Sequence, residues 1–423
     1  MSTGLILSAP ASGSGKTTLT LGLLRALRRR AMAIRSAKSG PDYIDPRFHE
    51  AASGQECINL DAWAMTPARL GQLAAGETPL LIEGAMGLFD GAPPDGRGAT
   101  ADLARHLGLP VVLILDTARQ SQSVAAVVEG FARHARDVRV AGVILNATGS
   151  DRHEAMLRRA LAPLELPVLG AVRREAGLSH PSRHLGLVQA RERPDLEAFL
   201  DRVADIVEAR LDLDGVLRLF APLPAAGPAH RMPPPAQRIA IAEDSAFAFA
   251  YPHLLADWRG SGAEILPFSP LADEAPPIAD LVFLPGGYPE LHAGRLAANG
   301  RFLSGLLATA RTTPVYGECG GYMVLGEGLI DAGGTRHKMA GLLPLETSFA
   351  QRKLHLGYRH LTARAGVFPG CYTGHEFHYA TTLRADGPAL FDAKNAEGDT
   401  LKPMGLAVGN VSGSFAHLID ATE

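Results

Sequence analysis

The sequence predicts an α/β protein of two domains, an N-terminal P-loop domain on a parallel sheet and a C-terminal α/β domain carrying a thiol nucleophile. Three observations predict it. A phosphate loop, Ser12-Gly-Ser-Gly-Lys-Thr-Thr18, lies between an apolar run and a helical pattern. A glycine-flanked cysteine in Thr313-Pro-Val-Tyr-Gly-Glu-Cys-Gly-Gly-Tyr-Met323 stands at a second strand-to-helix junction. Between the two, a run from Ala221 to Ala236 with six prolines has neither helical nor strand period. A chain of 423 residues also exceeds what one core usually supports, so two domains of ~200 residues are expected.

The elements follow in order. Short apolar runs predict strands at residues 5–8, 33–37, 80–82, 111–115, 140–145 and 167–172, with a helix at 17–30 and helical segments between most of the others. Continuous apolar strands separated by helices indicate a parallel sheet covered on both faces. Residues 221–237 read as a linker, leaving 1–220 and 238–423 as the domains. The second domain opens on a strand at 238–242 and continues through 281–284, a helix at 301–310 and a strand at 314–316.

Composition narrows the function. Apolar residues make up 46% and the net charge is −3, with no polybasic cluster for nucleic acid or a membrane surface. The start lacks a basic region, and no apolar run reaches the ~18 residues of a span, so neither a signal peptide nor a membrane segment is expected. The three cysteines, Cys57, Cys319 and Cys371, are odd in number and far apart. A disulfide framework is not expected, and a reducing cytoplasm is.

The run Pro10-Ala-Ser-Gly-Ser-Gly-Lys-Thr17 departs from the P-loop pattern only at its first position, where proline replaces glycine. Ser12, Gly13, Ser14, Gly15, Lys16, Thr17 and Thr18 are therefore candidates for ATP. Backbone N–H groups would cradle phosphates, Lys16 would reach the β and γ oxygens, and Thr17 would ligate Mg²⁺. Glu83 ends the strand at 80–82, at the sheet edge where ligands bind, and is a second candidate for Mg²⁺. A helix cap or an ion-paired acid is the structural alternative. Asp90 follows closely. Asn146 ends another strand, where related ATP folds read adenine. The segment Lys38-Ser-Gly-Pro-Asp-Tyr-Ile-Asp-Pro-Arg-Phe-His49 sets Lys38, Asp42, Tyr43, Asp45 and His49 on one loop after a strand. A plain turn explains Gly-Pro-Asp but not the rest.

Glycines around Cys319 make a nucleophile elbow, with the Gly320 N–H facing a developing oxyanion. The run after the strand at 281–284 offers the N–H groups of Gly286 and Gly287 for the same charge. A cysteine nucleophile needs a base, and histidine is the usual one. His337, His355, His360, His375, His378 and His417 follow Cys319, and spacing alone does not choose among them. A buried structural cysteine is the alternative, and Cys57 and Cys371, which lack such a setting, are read as structural. The pair His375 and His378 lacks a completing cysteine or carboxylate cluster in the sequence, so zinc is not expected.

Taken together, these runs resemble one family. They are Ala11-Ser-Gly-Ser-Gly-Lys-Thr-Thr18, the segment from Lys38 to His49, Glu83-Gly-Ala-Met-Gly-Leu-Phe-Asp-Gly91, Arg183-His-Leu-Gly-Leu187, Phe283-Leu-Pro-Gly-Gly-Tyr-Pro-Glu290, Gly317-Glu-Cys-Gly-Gly-Tyr322 and Gly374-His-Glu-Phe-His-Tyr379. The chain is similar, nearly end to end, to the cobyrinate and hydrogenobyrinic acid a,c-diamide synthases. The resemblance implies a dethiobiotin-synthetase-like amide synthase domain followed by a class I glutamine amidotransferase domain of the cobyrinate/cobyrate type. It makes Cys319 the glutaminase nucleophile and His417 its base. The glutamate usual two residues after that histidine is Ile419 here, so the third member of the triad is missing. Asp42, Asp45, Glu83 and Asp90 fall in motifs that the family uses around ATP, metal and corrinoid carboxylates, and Lys38 and Tyr43 share one of them.

The implied reaction is ATP- and glutamine-dependent amidation of the a and c acetates of hydrogenobyrinic acid through an acyl phosphate, in cobalamin biosynthesis. The same reaction on cobalt-containing cobyrinic acid or on a nickel-sirohydrochlorin is the alternative. A P-loop switch ATPase with a degenerate thiol domain is the rival of another class. The expected partners are glutamine and a corrinoid, with a homodimer as a candidate assembly.

Overall fold

The computed structural model describes residues 2–175, 182–183, 186–187, 190, 193–225 and 227–422. The chain divides into two compact units, Met1–Ala229 and His230–Glu423.

In the first unit, seven parallel strands carry the sheet: β1 Thr3–Ser8, β2 Arg35–Ser39, β3 Cys57–Leu60, β4 Leu80–Glu83, β5 Val111–Asp116, β6 Val140–Thr148 and β7 Val168–Arg173. Their order is β3-β2-β4-β1-β5-β6-β7. Leu5, Ile6 and Leu7 of β1 and Val112, Leu113 and Ile114 of β5 are fully buried. Burial on both faces is what makes these strands continuous apolar runs, and each such side chain contributes about 1.5–3 kcal/mol. The first helix, α1 Lys16–Arg29, starts directly after Gly15 and ends on Arg28 and Arg29, which suit the negative end of its dipole. A second, α2 Asp45–Ser53, starts with Pro46 in its first turn.

Two elements differ from the sequence expectation. β3 was not expected, because Asn59 breaks its apolar run. That asparagine is buried and donates to the Gly40 and Asp42 carbonyls at 2.9 and 2.7 Å, so it fixes the loop after β2. The proline-rich run begins inside the sheet, where β8 Ala221–Pro222 pairs antiparallel with Thr3 and Gly4. β5 joins β1 only from Ile6 onward, which leaves the start of β1 open on that side.

The second unit is built on a six-stranded sheet. Its strands are β9 Arg238–Ala242, β10 Glu264–Phe268, β11 Leu281–Leu284, β12 Val315–Glu318 and β15 Val411–Ser414, with Leu406–Val408 at one edge. The order is β10-β9-β11-β12-β15-edge, and all pairs except the last are parallel. β10, also unexpected, lies at the opposite edge and contains Pro267, a residue that sheets tolerate at their edges. A short helix, α3 Gly320–Leu325, follows β12, and all six of its residues are buried.

A four-stranded antiparallel sheet completes the frame, with β13 His355–Ala363 and β14 Cys371–His378 at its centre, β16 Ala416–Thr422 beside β14 and Phe391–Lys394 beside β13. Of this sheet the sequence announces only the alternation at 374–379. Cys57, Cys319 and Cys371 form no disulfide. Among the described residues, no helix is long and apolar enough to cross a membrane.

Candidate functional site

Sheet register assembles the first site. Lys38 of β2 and Leu7 of β1 both pair with Glu83 of β4, so the loops after three adjacent strands open at one edge. The result is a cleft of about 690 Å³ walled by residues of the phosphate loop, by Lys38, Asp42, Asp45, Glu83 and by Asn146. Gly15 ends the loop with φ 88°, and a Cβ there would lie 2.2 Å from Asn146 Nδ2, so the position is closed to other residues. The Asn146 amide donates to the Ser14 carbonyl at 2.9 Å and braces the loop. Its nitrogen is therefore committed to the phosphate loop, a role that the adenine expectation did not include. Lys16 Nζ donates to the carbonyls of Met86 at 2.5 Å and Ala11 at 3.3 Å.

Four charged or polar groups meet on the cleft floor. Thr17 Oγ1 donates to Glu83 Oε1 at 2.6 Å and lies 3.3 Å from Asp45 Oδ2. Lys38 Nζ bridges the same two carboxylates, at 2.5 Å from Asp45 and 2.7 Å from Glu83. Burial opposes the Lys38 charge, but Asp45 and Glu83 outweigh it and hold its pKa above the ordinary lysine value. Burial likewise opposes the Glu83 charge, yet Lys38 and His49 hold that carboxyl well below its usual range. His49 Nε2 lies 2.6 Å from Glu83 Oε2, and Cys57 Sγ lies 3.5 Å from His49 Nδ1. Burial works against His49 as well, and the Cys57 sulfur and Glu83 raise it to about 10. Asp42 keeps 31% of its side chain exposed, and desolvation with the adjacent Asp45 charge pushes it up to about 7. Desolvation lowers the Lys16 pKa.

These donors fit a hard divalent cation. The set is all oxygen, and Asp45 Oδ1 is buried without a hydrogen-bond partner among the described residues. The Lys38 ammonium already stands between the carboxylates that such an ion would share. Two expected residues are not among those that wall this cleft. Tyr43 is buried in the loop after β2. Asp90 is exposed and accepts the Gly87 N–H at 2.9 Å, so it closes the turn that presents the Met86 carbonyl to Lys16. His184 and Leu185 of the Arg183 run lie outside the described residues.

The second site forms by the same logic in the other unit. Leu284 pairs with Gly317 and Glu318 with Ser414, so β11, β12 and β15 end side by side. Gly286, Cys319 and His417 follow those three ends. A Cβ on Gly286 would lie 2.3 Å from His417 Cε1, 3.0 Å from its Nε2 and 3.2 Å from Cys319 Cβ. Only glycine leaves the imidazole and the cysteine room to meet there. Cys319 has φ 46° and ψ −103°, the strained turn of a nucleophile elbow, at a cost of order 1–3 kcal/mol. Its thiol is 4% exposed and is pushed up by burial and then by the Glu290 charge, while the Gly320 N–H opposes the rise. Gly287 N lies 3.0 Å from the Cβ position of Gly320, so the proposed oxyanion glycines stand together.

Of the six candidate histidines, His417 is the one at this convergence. His375 pairs with it across β14 and β16. Burial, then the His417 charge, lowers His375 to about 3, so it is a neutral neighbour.

The residue that sequence reasoning missed is Glu318. Its Oε2 lies 3.5 Å from His417 Nδ1, and its Oε1 accepts from Leu418 N and Tyr316 Oη, both at 3.2 Å. It is 4% exposed. An acid is thus present where Ile419 has none, supplied by the position before the nucleophile. The signal was a glutamate immediately preceding Cys319 at the end of an apolar strand.

His355, Glu376 and His378 also converge, with ligand atoms within 4.8 Å of one another. Arg359 takes Glu376 Oε2 with two donors, at 2.7 and 3.0 Å, and His378 takes Oε1 at 2.9 Å. Those bonds occupy the carboxylate, so the cluster is a closed network. The Phe377 carbonyl within it lies 3.9 Å from Cys319 Sγ, so this network forms one wall of the thiol pocket.

The chain matches two family models. One, described as the CobQ/CobB/MinD/ParA nucleotide binding domain, covers residues 5–188. The other, described as the CobB/CobQ-like glutamine amidotransferase domain, covers residues 238–423. Hydrogenobyrinate a,c-diamide synthase of Brucella anthropi is 56% identical over 430 residues, covering 99% of this chain and 98% of its own. The Rhizobium meliloti protein of that name is 57% identical over 429 residues, covering 99% and 100%. That of Mesorhizobium japonicum is 54% identical over 429 residues, covering 98% of each.

Proposed function

The chain belongs to the hydrogenobyrinate a,c-diamide synthase family, and from that premise we propose that it uses ATP and glutamine to amidate the a and c acetate carboxylates of hydrogenobyrinic acid. It is an amidating ligase with a nucleotide-binding domain and a glutamine amidotransferase domain. The observation that carries the reading is the meeting of Cys319 and His417 at Gly286, on a chain whose other unit ends its strands in a phosphate loop and buried carboxylates.

In the thiol site, burial keeps Cys319 protonated at rest, so a base must act within the pocket. His417 takes the thiol proton as sulfur attacks the glutamine carboxamide carbon. N–H groups of Gly286, Gly287 and Gly320 receive the negative oxygen. His417 then delivers the proton to the departing nitrogen, ammonia leaves, and water opens the thioester to give glutamate. Glu318 Oε2, 3.5 Å from His417 Nδ1, sets a carboxylate beside the ring and favours the imidazolium that forms when the thiol proton is taken.

In the other unit, the N–H groups of residues 12–18 and Lys16 would hold the phosphates. Thr17, Glu83 and Asp45 would hold Mg²⁺. ATP supplies the phosphoryl group that turns a carboxylate, a poor electrophile, into an acyl phosphate open to ammonia. Lys38 and His49 keep Glu83 ionised, and so available to a cation.

Mass spectrometry of hydrogenobyrinic acid and cobyrinic acid, each incubated with ATP, Mg²⁺ and glutamine, tests the reading. Two successive carboxyl-to-amide conversions are expected on hydrogenobyrinic acid. Preference for the cobalt compound would overturn the substrate assignment, and ATP consumption with no mass change on either would favour a switch ATPase.

The positioning of His417 by Glu318 has its own test. Glu318→Gln keeps the shape and one acceptor but loses the charge. Glutamine-dependent kcat is expected to fall by on the order of 10²-fold or more, with KM for glutamine little changed. An unchanged kcat would remove Glu318 from the mechanism.

A further inference from the structure

One buried acid beside the nucleophile has no part in the chemistry above. Glu290 lies in a single helical turn, Pro289–Leu291, that packs on the start of α3. A Cβ on Gly320 would lie 2.8 Å from Pro289 Cδ, so the turn abuts the residue after Cys319. Glu290 is only 9% exposed, and its Oε2 has no hydrogen-bond partner among the described residues. A buried carboxylate oxygen left unpaired costs more than most single contacts contribute. Such an oxygen next to a reactive centre points to a group that arrives with the ligand.

Resting on the glutamine reading above, we propose that Glu290 binds the α-ammonium group of glutamine and selects an α-amino acid as the amide donor. Cys319 must contact the side-chain carboxamide carbon, and the α-ammonium lies three carbons farther along the same molecule. A partner for it therefore has to stand near the nucleophile but outside the oxyanion glycines, which is where the Pro289–Leu291 turn follows Gly287. The charges agree. Desolvation pushes the Glu290 carboxyl up to about 8, the state of an acid short of a cation, and the positive charge of Arg352 opposes that rise. Arg352 is exposed and leaves Oε2 without a hydrogen-bond partner among the described residues. A bound ammonium would complete the carboxylate and convert it to the ionised form. Apolar neighbours on α3 exclude water and strengthen such a pair.

The test compares glutamine with glutaramate, the same carboxamide acid without its α-amino group, as substrates for hydrolysis by the purified full-length chain. The wild-type protein is expected to prefer glutamine in kcat/KM by on the order of 10²-fold. Glu290→Gln, close in shape, is expected to erase that preference, raising KM for glutamine while leaving glutaramate hydrolysis as it was. Glu290→Asp, which keeps the charge, is expected to retain part of the preference. Equal loss on both substrates, or an undiminished preference in Glu290→Gln, would overturn the proposal and make Glu290 structural. If the wild-type protein hydrolyses neither compound, the glutamine reading itself fails, an outcome separate from loss of selectivity in the variant alone.

Discussion

Cys319→Ser is expected to abolish glutamine-dependent amidation, by on the order of 10⁴-fold or more, while amidation with added ammonium salt continues at the wild-type level. The reasoning begins with acidity. A serine hydroxyl ionises far less readily than a thiol, and this pocket already pushes the thiol upward by burial. One histidine that meets a thiol proton part way cannot do the same for an alcohol without further help. The backbone at this position stays strained whichever side chain it carries, so the elbow and its oxyanion glycines remain in place. What disappears is the covalent step, and with it ammonia from glutamine. Ammonia supplied in solution needs no thiol. Parallel assays with the two nitrogen sources read the difference directly. If both activities fall together, the chain does not divide its chemistry between two sites. If glutamine still serves, Cys319 is not the nucleophile.

Much of this was legible in the sequence, for physical reasons. Doubly covered parallel strands have to be apolar runs, and the glycine loops that leave their carboxyl ends have fixed backbone demands, so β1, β4, β5, β11 and β12 announce themselves. Two edge strands escape, because solvent on one side permits Pro267 in β10, and Asn59 in β3 is held by loop carbonyls rather than by apolar packing. Most of the antiparallel sheet of β13, β14 and β16 escapes because its strands mix glycines and polar residues with apolar ones.

Spacing could not choose among six histidines. The choice comes from register, which sets His417 of β16, just beyond the end of β15, beside Gly286. The missing triad acid shows the limit of reading by position. Two residues after a histidine on a strand lie on the same face, so a glutamate there would be recognisable. Glu318 reaches the same ring from a different strand, and only three-dimensional structure brings them to 3.5 Å. Tyr43 and Asp90 are read from nearness in sequence to a motif, and Asn146 from its place at a strand end. Asn146 holds the loop by its amide, Tyr43 is buried, and Asp90 shapes a turn.

Lys16→Ala is expected to abolish amidation with both nitrogen sources, by at least about 10²–10³-fold, the opposite pattern to Cys319→Ser. Two lysines enter the cleft, and their surroundings separate their roles. Lys38 is locked between Asp45 and Glu83, and without it Asp45 would lose its counter-charge and Glu83 would keep only His49. Removing one partner of a buried charged set costs about 3–5 kcal/mol, so Lys38→Ala reports stability as much as function. Lys16 makes its bonds to two backbone carbonyls, those of Ala11 and Met86, which accept other donors readily. Desolvation already disfavours its charge, so an arriving phosphate gains an ammonium that is poorly satisfied in the resting protein. Alanine at position 16 leaves Gly15, the Ser14–Asn146 bond and the Thr17–Glu83 bond untouched. The loop should keep its shape and lose only the charge that meets the phosphates. Covalent labelling of Cys319 by a reactive glutamine analogue is expected to proceed as in the wild type and serves as the control for an intact second unit. Ammonia-driven amidation that survives in Lys16→Ala would show that this lysine does not serve the phosphoryl step.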